Sequence, residues 1–149
     1  PLPLLYWTLM CDSVAPADAD ALQQRLGLRG DTISLMRSMA ELRRNLPVLA
    51  DPATPPSVAV TILEAGTDAA LSLLPVVTDD AQVLQTLARY RTVWQFVTPS
   101  FDGHALRALG VPRGGIYRTI LANLRAGLLD GAISTRAEEE ALVRAIAGL

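Results

Sequence analysis

The chain contains the run Leu109-Gly-Val-Pro-Arg-Gly-Gly-Ile-Tyr-Arg-Thr-Ile-Leu121, followed shortly by Leu128-Leu-Asp-Gly-Ala-Ile-Ser-Thr135. This pattern predicts a helix that ends at Gly110, a Pro/Gly turn and a second helix. The backbone N–H groups at a helix N-terminus attract anions. We therefore expect a phosphate-binding element at Arg113, Gly114, Gly115 and Arg118. The alternative is that the two glycines only make a tight connection between two helices.

Hydrophobic periodicity predicts helices through the first half of the chain. Asp31 is placed to cap a long helix that Pro47 ends. The apolar stripe of this helix is Ile33, Leu35, Met36, Met39, Leu42 and Leu46. Two earlier helices are expected at 4–9 and 15–26, and residues 49–56 are expected to form a loop. Residues 58–63 fit either a helix opened by the preceding proline pair or a short strand.

Capping side chains predict the helices that follow. Thr67, Asp102 and Thr135 are placed to cap three further helices, and Asp79 with Asp80 begins another between the first two of these. The helix after Thr67 is expected to end at Pro75, and the one that Asp79 and Asp80 begin is expected to be the longest in the chain. Thr135 and Glu138 have the spacing of a capping box. We predict an all-α fold, a compact multi-helix bundle of short to medium helices with no sheet. Its expected parts are a helical body at 1–98 and a helical tail at 99–149.

Basic residues are concentrated in one part of a weakly acidic chain. The 149 residues carry a formal net charge of −2, and all 13 basic residues are arginine. Residues 89–125 hold six of these arginines and one acid, Asp102, whereas residues 1–88 hold five arginines and ten acids. Such a segment indicates a local contact with a polyanion. A solvated helix face that happens to be rich in arginine is the other interpretation.

Residues for catalysis are scarce. His104 is the one histidine and Cys11 the one cysteine, so we expect neither an internal disulfide nor a metal site built from His and Cys ligands. No apolar run reaches the roughly 18–20 residues of a spanning helix. We expect a cytoplasmic chain without a membrane contact. Because residue 1 is not Met and lies in an apolar run, we also expect it to be part of a longer protein.

The region from Tyr90-Arg-Thr-Val-Trp-Gln-Phe-Val-Thr-Pro99 onward resembles the C-terminal part of bacterial tRNA nucleotidyltransferases. These are the CCA-adding or A-adding enzymes related to poly(A) polymerases. The positions that fall in order on that family's pattern are Gly103, Leu106, Leu109, Gly110, Gly114, Ile120, Leu121, Leu129, Asp130, Gly131, Ile133, Thr135, Glu138 and Glu139. The chain departs from the pattern at His104, Ala105, Gly115 and Arg118.

The resemblance implies a helical body and tail that bind tRNA, while a separate head performs nucleotide addition. Divalent metal and nucleotide are then expected only in that head, and no cofactor or catalytic residue in this chain. The expected partners are tRNA and the N-terminal domains of the same parent chain, and an oligomer stays possible. The expected phosphate contacts are Arg113, Gly114, Gly115 and Arg118, followed by Arg89, Arg91 and Arg107. Two alternatives stay open: a helix-hairpin-helix-type DNA-binding module, and a structural or oligomerisation lobe that binds no nucleic acid.

Overall fold

The computed structural model describes residues 30–149, and the helices expected at 4–9 and 15–26 lie outside this range. Over the described residues the predicted all-α fold is confirmed, with eight α-helices, one 3-10 turn and no strand. The elements are α1 (Gly30–Arg44), α2 (Leu46–Ala50), α3 (Pro56–Glu64), α4 (Asp68–Val77), α5 (Ala81–Thr92), the 3-10 turn Trp94–Phe96, α6 (Gly103–Ala108), α7 (Ile116–Leu129) and α8 (Arg136–Ala147).

Two compact units make up the chain. The described part of the first unit comprises residues 30–54 and Ala59–Tyr90, and the second comprises Pro55–Val58 and Arg91–Leu149. Helix α3 begins in the second unit and continues in the first. Asp130 accepts hydrogen bonds from the Ser57 N–H (2.8 Å) and the Ser57 hydroxyl (2.7 Å), so its carboxylate caps α3 from within the second unit.

The first unit is built on the apolar face of α1. Five of its six predicted stripe residues are buried: Ile33, Leu35, Met36, Met39 and Leu42. Helix α1 contacts α4, whose Leu74 is fully buried. A polar link joins the two helices, since the Thr67 N–H donates to the Ser38 hydroxyl oxygen at 2.7 Å. Thr67 also caps α4 through the Ala70 N–H, as predicted.

The second unit packs α6, α7 and α8 around one apolar core, which consists of Phe101, Leu106, Val111, Ile120, Leu124 and Val143. Helix α8 lies against α7, and the Arg136 guanidinium lies over the Phe101 ring, 5.2 Å from its centre. The predicted capping box of α8 is present in both halves, between Thr135 and Glu138.

A buried carboxylate ties α8 to the segment that precedes α6. Glu139 is only 4% exposed. Its two oxygens accept hydrogen bonds from the Ser100 N–H and the Ser100 hydroxyl, each at 2.9 Å. Because buried polar groups are stable only when they have partners, this pair fixes how the chain enters the second unit's core.

Two proline-based expectations are wrong. Helix α1 ends at Arg44, before Pro47, which lies in the first turn of α2. There the missing N–H costs no intrahelical hydrogen bond, so residues 46–50 are helical where a loop was expected in part. Helix α4 continues past Pro75 to Val77, and the Thr78 N–H still bonds to the Leu74 carbonyl at 3.2 Å. So close to a helix end, proline removes a single bond.

Two further expectations are settled by the helix bounds. Residues 58–63 lie in α3, so the helical alternative holds and the strand does not. Helix α5 is not the longest of the described helices, because it has 12 residues against 15 in α1. It ends at Thr92, and the chain turns through Trp94–Phe96 instead of extending the helix.

Candidate nucleic-acid interface

The first half of the hairpin ends in a Schellman motif. After α6, Gly110 takes a φ of 87°, which glycine adopts without steric cost. The Gly110 N–H donates to the Arg107 carbonyl (3.0 Å) and the Val111 N–H to the Leu106 carbonyl (3.1 Å). Val111 and Leu106 are both buried, which is the apolar contact that accompanies this motif. The predicted helix end at Gly110 therefore has a defined geometry.

The second half of the hairpin begins at a helix N-terminus without a side-chain cap. Gly115 occupies the N-cap position of α7 with φ −58° and makes no side-chain cap hydrogen bond. The Tyr117 hydroxyl donates to the Val111 carbonyl at 3.1 Å and holds the turn against α7. A Cβ placed on Gly114 or Gly115 would meet no neighbouring atom within 4 Å. The approach to this N-terminus is open.

The hairpin contains three arginines. Arg107 lies in the last turn of α6, Arg113 in the connecting turn and Arg118 in the first turn of α7, and all three are exposed. Within the described residues, none of their side chains forms a hydrogen bond or an ion pair. Arg144, by contrast, pairs with Glu140 at 2.8 Å. The hairpin thus presents three arginine charges that no acid of the described chain neutralises by contact.

The remaining predicted contacts lie elsewhere. Arg89 is exposed on α5 in the first unit, and Arg91, also exposed on α5, is the first residue of the long segment of the second unit. The structure thus gathers Arg107, Arg113, Gly114, Gly115 and Arg118 on one hairpin of the second unit, whereas Arg89 belongs to the first unit.

One arginine of the basic segment has a structural contact. The Arg125 Nε–H donates to the Val97 carbonyl at 3.1 Å, and Arg125 is half-buried. This bond places a guanidinium directly beside the residue that follows the 3-10 turn. Nothing in the local sequence predicts the pairing, because the two residues are 28 positions apart.

Two apolar residues at the 3-10 turn, Val93 and Phe96, are exposed, which the sequence did not predict. Phe96 is 68% exposed and Val93 is 55% exposed. Val93 and Trp94 continue the apolar periodicity of α5 in the sequence, which predicts that the helix extends through them. Since the helix ends at Thr92, Val93 instead lies at the start of the turn. The residues Thr-Pro that follow at 98–99 are the one local sign of a helix break here.

Asp102, the one acid of the basic segment, has a structural role. It caps α6, and the N–H groups of Ala105 and His104 donate to its Oδ1 at 2.8 and 2.9 Å. The Ala105 hydrogen bond is the main cause that lowers the pKa of Asp102 from its ordinary value of 3.8. His104 follows it in the first turn and is exposed.

Residues 30–149 contain neither a cluster of metal-ligating side chains nor a single helix that could span a membrane. No group of three or more His, Cys, Asp or Glu side chains in this range could hold a metal ion. No single helix in the same range is long and apolar enough to cross a membrane. Helices α3 and α4 meet that test only as a pair, with a bend of 112° between them.

No protein family, no curated protein and no solved structure matches this chain.

Proposed function

We propose that the second unit binds the phosphate backbone of a structured RNA, and that the chain is the helical body and tail of a tRNA nucleotidyltransferase. In this role it grips the acceptor and T-arm side of tRNA while a catalytic head adds nucleotides to the 3′ end. The observation that carries the proposal is the hairpin, where Arg107, Arg113 and Arg118 are exposed and α7 begins without a side-chain cap. The order of matching residues from Gly103 to Glu139 supports the choice of family.

The chemistry of the hairpin suits an RNA helix. The deep, narrow major groove of A-form RNA hides the base edges, so proteins bind it through its shape and its phosphates. Guanidinium groups form charge-assisted, often bidentate hydrogen bonds with phosphate oxygens. Backbone N–H groups at Gly114 and Gly115 add donors that approach closely because neither residue has a side chain. The hairpin therefore contacts the RNA phosphates through charge and position, and it does not recognise the base sequence.

A salt titration tests the proposal. Each phosphate contact contributes slightly less than one unit to the slope of log K against log salt concentration. We expect the double variant Arg113→Ala/Arg118→Ala to weaken tRNA binding and to flatten this slope by about two units. The matched control is Arg144→Ala, which removes an arginine of the same unit that is already paired with Glu140. An unchanged slope in the double variant would remove both arginines from the interface.

The same hairpin geometry favours a second candidate, a helix-hairpin-helix-type module that binds duplex DNA. Two helices joined by a glycine turn with a buried Val111 are common to both interpretations. A DNA duplex of similar length, titrated alongside tRNA at about 50 and 200 mM salt, separates them. Preference for tRNA supports the first candidate, and equal or tighter binding to DNA supports the second. No binding to either indicates a structural lobe.

A further inference from the structure

We draw no further inference here: the strongest candidate, the exposed apolar patch of Val93 and Phe96 at the 3-10 turn that follows α5, carries nothing because nothing in the structure shows what covers it.

Discussion

Glu139 and Ser100 form a buried hydrogen-bonded pair, and we expect substitutions of Glu139 to lower the free energy of unfolding in steps that follow the number of bonds lost. Both carboxylate oxygens accept a hydrogen bond at 2.9 Å, and the residue is 4% exposed. A hydrogen bond to a charged group is worth about 1.5–3 kcal/mol, and a neutral one about 0.5–1.5 kcal/mol. Glu139→Gln keeps one neutral acceptor of the two charged ones, so we expect a loss of about 2 kcal/mol in the free energy of unfolding. Glu139→Ala loses both bonds and should cost about 3 kcal/mol or more.

Urea unfolding followed by circular dichroism measures these free energies. Glu140→Ala is the matched control, since it removes a neighbouring carboxylate whose surface pair with Arg144 is worth less than about 0.5 kcal/mol. Ser100→Ala removes only the hydroxyl bond, and in the Glu139→Ala background it should cost nothing further, which corresponds to a coupling energy of about 1.5 kcal/mol or more. If Glu139→Ala unfolds within about 0.5 kcal/mol of the Glu140→Ala control, the buried carboxylate does not hold the unit together.

Two further expectations concern the hairpin. Gly110→Ala should lower the free energy of unfolding by about 1–2 kcal/mol, because a φ of 87° brings a Cβ too close to the following carbonyl. Gly115→Ala, with its helical φ of −58°, should change it by less than about 0.5 kcal/mol; a larger loss there than at Gly110 in urea unfolding would contradict the assigned conformations. Asp102 has a lowered pKa, so its stabilising effect is present above its ordinary value of 3.8 and disappears as pH falls through its lower folded value. Unfolding measured between about pH 6 and 2 should therefore show the stability gap between wild type and Asp102→Asn narrowing in acid, and a gap independent of pH would refute this.

Local chemistry made much of the helical pattern predictable. Thr67, Asp102 and Thr135 were identified as caps from residue type and position, and each accepts a hydrogen bond from a backbone N–H of the first turn. Each of these three residues directly precedes the helix that it caps, so a short window of sequence contains the information needed. The two wrong proline assignments have different causes. Pro47 lies in the first turn of a new helix and Pro75 lies near the end of one, and proline interrupts a helix at neither place. The sequence alone does not show where along a helix a proline lies.

The long-range polar contacts could not be predicted from sequence. The dipeptide Asp130-Gly131 is typical of a turn, yet the Asp130 carboxylate caps a helix 73 positions away at Ser57. Glu139 lies in the acidic first turn of α8, where a negative charge favours the helix dipole, and the structure buries it against Ser100, 39 positions away. Such partners depend on the packing of the whole unit. The candidate site also has a predictable and an unpredictable part. The hairpin arginines are close together in sequence, whereas the Arg125–Val97 contact joins residues 28 positions apart and arises only from the fold.

The positions that carry the family resemblance bear on how the RNA proposal must be tested. Many of them have structural roles in the second unit: Leu106 and Ile120 in the core, Gly110 and Gly131 at positive φ, and Asp130, Glu138 and Glu139 as hydrogen-bond acceptors. The matching pattern therefore describes how this unit folds. The departures His104, Gly115 and Arg118 are exposed. A substitution at a buried or hydrogen-bonded matching position would abolish any RNA binding simply by unfolding the unit, so only exposed residues such as Arg113 and Arg118 can separate binding from folding.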